Sequence, residues 1–160
     1  MSRCCCPGLT RWYSRPARVP GSGAPRKDTV DRAASALMAD AAERAGVRRF
    51  VQISSMGAGQ PPRPGSDEVW AAYIAAKTAA EADLRDRDLD WIIVRPGGLT
   101  DAPATGRIRL APPPVPRGTI PRADVAAVIA ALLDNPGTRH QTLELVSGDS
   151  PVAAAVHSVS

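Results

Sequence analysis

The sequence predicts an α/β fold built around a parallel sheet, and three observations carry that prediction. Two short apolar runs, Arg49–Ser54 and Asp90–Arg95, have the length and β-branched content of strands. Segments with helical spacing of apolar residues stand before, between and after them. Pro- and Gly-containing loops punctuate the joins, and strand, helix, strand, helix, strand in this rhythm calls for crossover helices over parallel strands. A chain of 160 residues with 44% hydrophobic and 22% charged side chains suits one domain with a real core. Aromatic residues make up only 4%, so that core must be built mostly from Ala, Val, Ile and Leu.

Residues 1–20 are read as a basic, unstructured tail and residues 21–160 as the folded part. From Thr29, Pro/Gly/Arg punctuation gives way to a helix in which Ala33, Ala36, Leu37, Ala41 and Ala45 fall near one face. Asp28 or Asp31 would start it, and Gly46 stands where a left-handed C-terminal residue is needed. The strand Arg49–Ser54 follows, then a Pro-rich loop over residues 60–68 and a second helix from Val69 to about Arg87. Asp90–Arg95 is continuously apolar at its centre, as a strand buried on both faces must be, and Pro96, Gly97 and Gly98 end it. Arg107–Ala111 is a weaker strand, Asp124–Asp134 a third helix capped by Asp124, and Thr142–Val146 a last strand. Trp70 and Trp91 are expected in the core or helix packing, residues 83–90 at a solvated helix end, and His140 and His157 on the surface.

Charge and cysteine placement exclude several functions. Six basic side chains and no acidic one lie within residues 1–27, more than the whole excess of +4, so the remainder carries two more acidic than basic groups. The basic character belongs to a tail and not to a folded face, which argues against a nucleic-acid partner. Cys4, Cys5 and Cys6 are adjacent and match neither zinc-ligand spacing nor a disulfide framework, so no metal is expected. A body without cysteine fits a reducing, cytoplasmic setting. No run approaches the roughly 20 apolar residues of a membrane span.

The chemistry sits where the two best strands end, which is where open α/β sheets bind ligands. Ser54 and Ser55 end the first strand, and Arg95, Pro96, Gly97 and Gly98 end the second. Between them Tyr73 and Lys77 stand four apart, on one helix face. A nearby ammonium favours phenolate and lowers a phenol pKa from its usual value of about 10. Tyr73 is thus a candidate general acid and base, with a strand-end serine to polarise a substrate carbonyl.

Together with DRAASALMADAAERAGVRRFVQISSMGA, YIAAK, LDWIIVRPGGLTD, RADVAAVIAALLDNP and TLELVSGDSPV, these residues resemble the atypical short-chain dehydrogenase/reductases. That group includes NAD(P)-binding, NmrA-like and epimerase/dehydratase-like proteins. The resemblance runs from about Gly21 to Ala155 and implies a Rossmann-type fold binding NADP or NAD, with NADP favoured. It implies that Tyr73 and Lys77 are the catalytic pair and Ser54 or Ser55 the upstream serine, with Ser55 the catalytic choice and Ser54 beside the cofactor. Alignment to sugar-epimerase relatives would put Met56 at that serine position. Asp31 corresponds to a further active-site position, Gly21, Ser22 and Gly23 to the adenosine side, and Arg95, Pro96, Gly97 and Gly98 to the loop whose backbone borders the nicotinamide.

The implied activity is that of an oxidoreductase or epimerase of a small organic substrate, the alternative being an NAD(P)-sensing regulator or a pseudoenzyme. Residues 100–118 correspond to the segment that shapes a substrate pocket. Members of the group begin with a strand, a G-x-x-G-x-x-G loop and a helix whose N-terminus binds the pyrophosphate. The sequence holds no such motif, and RWYSRPARVP, with two prolines and three arginines, cannot be a central strand. The expectation is therefore an incomplete Rossmann domain whose resemblance ends inside the fourth strand, through a shifted reading frame or misassigned start, or else as a natural short form. An unpaired apolar edge on Arg49–Ser54, marginal stability and weak NADP binding would follow.

Overall fold

A computed structural model of the protein describes residues 11–14, 33–61, 65 and 67–160. The chain runs β1 (Arg11–Ser14), α1 (Ala34–Ala45), β2 (Arg49–Ile53), α2 (Glu68–Arg85), β3 (Asp90–Pro96), β4 (Gly98–Thr100), β5 (Arg107–Ala111), β6 (Thr119–Pro121), α3 (Arg122–Asp134), β7 (Gln141–Ser147), β8 (Ser150–Pro151) and α4 (Val152–His157). The main sheet has the order β1-β2-β3-β7-β5-β8. Its first four strands are parallel, as the alternation of elements predicts. The last two correct that reading: β5 runs antiparallel to β7, and β8 antiparallel to β5. β7 and β8 thus run in the same direction on either side of β5, linked only by a short bridge around Gly148.

The expected unpaired edge on β2 is also corrected. β1 pairs with it in parallel, from Arg11 opposite Arg49 to Ser14 opposite Gln52. Backbone pairing asks little of side chains, so four residues of the segment read as a tail can cover an edge. β1 is the outermost strand of the sheet, a place where neighbouring prolines are tolerated.

Alternation along β2 and β3 divides the core in two. Phe50 and Ile93 pack with Ala39, Ala42, Leu84 and Leu89 under α1 and α2. Val51, Ile53, Ile92 and Val94 turn to the other face and join Val125, Val128, Ile129 and Leu132 of α3. Gly46 ends α1 at φ 71°, as expected, and its N–H returns to the helix carbonyls. Asp67 caps α2 by accepting from the Val69 N–H at 3.0 Å.

Several side-chain expectations change. Trp70 is exposed, whereas Trp91 packs against the α1/α2 core and lies 5.5 Å from the His140 ring. The end of α2 is an ion-pair hub, not merely solvated: Arg87 bonds Asp83, Asp40 and Glu43, tying α2 to α1. α3 starts two residues before Asp124, with Pro121 at its cap position, so Asp124 is not the cap.

Candidate active site

α2 carries Tyr73, Lys77 and Glu81 at successive i, i+4 positions, and the two charged members are buried although both are ionisable. Lys77 is 2% exposed. Its Nζ donates to the Ile53 carbonyl at 3.1 Å, which fixes the ammonium at the residue before Ser54. The same Nζ lies 5.6 Å from the Tyr73 ring centroid, the pairing that the Y-x-x-x-K spacing predicts. Tyr73 is half-buried, with the Trp70 ring 5.4 Å away. Ser54 continues the β2–β3 pairing through its N–H to Val94 O at 2.7 Å, and its side chain is buried. Ser55 is half-buried with its Oγ 3.5 Å from the Met56 carbonyl, and Met56 itself is buried.

Burial of Glu81 and Arg95 is offset by their pairing. Arg95 Nε and Nη2 donate to the two Glu81 oxygens at 2.8 and 2.6 Å, a fork-to-fork contact, and Arg85 adds a third donor at 2.8 Å. Burial alone would raise the Glu81 pKa. The Arg95 hydrogen bonds, with smaller help from the Ser54 hydroxyl alongside and from Arg85, hold it below the usual carboxylate range. Glu81 correspondingly raises Arg95 against its own desolvation. The Arg95 side chain is therefore committed to α2; Pro96 is buried with its carbonyl accepting from the Met56 N–H at 3.2 Å, and Gly97 and Gly98 are the part of the loop that reaches the surface.

That backbone is closely packed. Gly97 N–H donates to Leu145 O and Gly98 N–H to Gly118 O, both at 2.9 Å. A Cβ on Gly97 would collide with the Gly118 carbonyl, so glycine is required for the approach of two chains. Residues 100–118 are anchored from below at two points. Asp124, buried at the start of α3, accepts from Thr105 N, Thr105 Oγ1 and Gly106 N at 2.9–3.0 Å. Burial would raise its pKa, and these bonds outweigh it and hold the carboxyl low. Glu144 of β7, also buried, accepts from Val115 N at 2.7 Å. Arg117 projects from this segment to 3.8 Å from the Cβ position of Gly57, beside Ile74 of α2, and makes no ion pair among the described residues.

The structure thus brings Tyr73, Lys77, Ser54, Ser55 and the Arg95–Gly98 loop to one end of the sheet. Asp31, Gly21, Ser22 and Gly23 lie outside the described residues. Glu81, Glu144 and Arg117 escaped the sequence reading. Glu81 could have been found as the next i+4 step after Lys77. Glu144 and Arg117 depend on long-range packing and left no local signal.

A buried lysine, a half-buried phenol and a glycine backbone at a strand end fit the nicotinamide end of a dinucleotide. Two described helix starts do not fit its phosphates, because α2 opens on Asp67 and Glu68 and α3 carries Asp124 in its first turn. A mostly apolar cavity of about 260 Å³ opens on the α3 face of the sheet, lined by Ile53, Leu99, Arg122, Val125, Ile129 and Leu133, and through Ile53 and Leu99 it borders the same strand ends. Among the described residues no helix is long and apolar enough to cross a membrane, and no group of three His, Cys, Asp or Glu is placed to hold a metal ion.

Comparison with known proteins agrees with the fold. The family model described as NAD(P)H-binding matches residues 18–136. The chain is 37% identical over 127 residues to the uncharacterized sugar epimerase YhfK of Bacillus subtilis, covering 79% of this chain and 57% of that protein. Among solved structures it is similar to a candidate NAD-dependent epimerase/dehydratase of Bacillus halodurans, at TM-score 0.85 and 31% identity, over 93% of this chain and 69% of the other. The oxidoreductase ylbE of Lactococcus lactis follows at TM-score 0.73 and 30% identity, over 88% and 65%. The chain spans less than two thirds of the length of the curated relatives it matches. The Rossmann-like fold, the strand-end site and these matches together make the chain a member of the NAD(P)H-binding family, with the epimerase/dehydratase and oxidoreductase proteins as its structural neighbours.

Proposed function

We propose that the strand-end site interconverts a carbonyl and an alcohol on a small organic substrate, with Tyr73 as the proton-transferring group and NADP or NAD as cofactor. The bound nicotinamide supplies or accepts the hydride. Tyr73 gives its hydroxyl proton to the carbonyl oxygen as the carbon gains hydride, and takes the proton back when an alcohol is oxidised. Lys77 holds a positive charge near the phenol and stabilises the phenolate left behind. Ser55, half-buried at the end of β2, would orient the carbonyl oxygen, since the Ser54 hydroxyl is buried beside Glu81. An epimerase would use the same two half-reactions in turn, with the substrate re-presenting its opposite face between them.

The observation that carries this reading is the Lys77 ammonium, buried, bonded to Ile53 O and 5.6 Å from the Tyr73 ring. A solvated lysine would not be fixed in that way. The test is NADPH or NADH oxidation by this protein over a panel of small aldehydes and ketones. Tyr73→Phe should lower turnover by about 10²–10⁴-fold, the range for loss of a general acid, while cofactor affinity stays within about threefold. Equal turnover in Tyr73→Phe would overturn the catalytic reading and leave nicotinamide binding without chemistry.

A further inference from the structure

Tyr73 and Lys77 can act only if α2 is held in register with the strand ends, and the fold shows one device placed to hold it. Glu81 is fully buried one turn beyond Lys77 on the same helix face. Its carboxylate takes both arms of Arg95, the residue directly before Pro96, Gly97 and Gly98. The Arg95 guanidinium also lies close to the loop that follows Ser54 and Ser55, its Nη2 3.0 Å from where a Cβ on Gly59 would stand. Gly59 in turn donates its N–H to Thr78 Oγ1, next to Lys77 on α2. Glu144 on β7 adds a second negative charge behind Arg95.

Stability alone is a poor reason for such a pair. Replacing a buried ion pair with well-packed apolar side chains is often neutral or stabilising, because desolvation consumes the Coulombic gain. The pair's geometric consequence is definite, since it locks α2, the end of β3 and the 56–59 loop to one another.

We propose that Glu81 and Arg95 are positioning residues that fix the Tyr73–Lys77 face of α2 against the Ser54–Ser55 and Pro96–Gly98 loops. This rests on the reading of Tyr73 and Lys77 given above, but its test reads the place of Lys77 directly and needs no turnover. The sequence contains only two lysines, Lys27 and Lys77, so amine acetylation followed by peptide mass spectrometry resolves them. In the full chain Lys77 should be slow to label. Glu81→Gln and Arg95→Gln, neither of which adds an amine, should each accelerate its labelling about tenfold or more, as local opening becomes easier.

A destabilised control separates positioning from general stability. Leu132→Ala lies in the core on the other side of the sheet, and at a matched fraction of its Tm it should leave Lys77 slow. Glu81→Met/Arg95→Met, which keeps side-chain bulk while removing the ion pair, carries the same expectation as the single variants and covers the case that those fail to fold. Lys77 labelling that stays slow in the folded variants, or that rises equally in Leu132→Ala, overturns the proposal. If Tyr73→Phe remained active while these variants still exposed Lys77, the catalytic reading would fail and the positioning role would stand.

Discussion

Asp124 shows how a single side chain can be misread from sequence. An aspartate near the start of a helical run is normally read as a cap, yet here α3 has already begun and the carboxylate instead gathers Thr105 and Gly106 from the loop after β4. Its three acceptor bonds define a prediction. Asp124→Ala leaves two backbone N–H groups without that partner and should cost about 1–3 kcal/mol, the range for leaving a buried donor unsatisfied, measured by denaturant unfolding. The pH dependence follows from the lowered pKa. Stability from Asp124 is fully present above the ordinary aspartate range and is lost as pH falls through its depressed folded value. Wild type and Asp124→Ala should therefore differ in stability at neutral pH and converge in strong acid.

Tyr73 and Lys77 were legible because the i, i+4 rule is local. Glu144 was not, since its partner Val115 lies 29 positions away and reaches it only through the fold of β7 and the Pro-rich loop.

Among elements, the short parallel pair β4–β6 was invisible in sequence. Gly98–Thr100 and Thr119–Pro121 are three residues each, too short for an alternating pattern to register. Their pairing nevertheless sets where the candidate nicotinamide loop sits, because Gly97 packs on the Gly118 carbonyl. Gly97→Ala should force these chains apart and lower stability by about 1–3 kcal/mol, the usual cost of overpacking. Thermal unfolding measures that cost, and a weakened NADPH affinity in the same variant would show that the displaced loop borders the cofactor. The longer elements were readable for ordinary reasons: β2 and β3 are apolar runs of strand length, and α1 stops where Gly46 supplies the left-handed residue. The antiparallel turn of β5 was not readable, because strand direction depends on which neighbour a strand finds and not on its own residues.

For the whole molecule, the parallel block β1-β2-β3-β7 gathers the ends of β2 and β3 at one rim, and α2 lays Tyr73 and Lys77 beside it. Sequence reading located that rim because both of its strands end in punctuated motifs, Ser-Ser and Arg-Pro-Gly-Gly. It missed the pairing of β1, since a segment bearing arginines and prolines has no strand signature and is recruited by the open backbone of β2.

The central claim is that Lys77 makes Tyr73 a proton donor and acceptor near neutral pH, and it can be measured without a substrate. Tyr13 and Tyr73 are the only tyrosines, so a Tyr13→Phe protein reports Tyr73 alone in an ultraviolet tyrosinate titration. The Tyr73 midpoint should lie below the ordinary value of about 10 and rise by about one unit or more when Lys77→Met removes the charge. The same midpoint with and without Lys77 would contradict the claim.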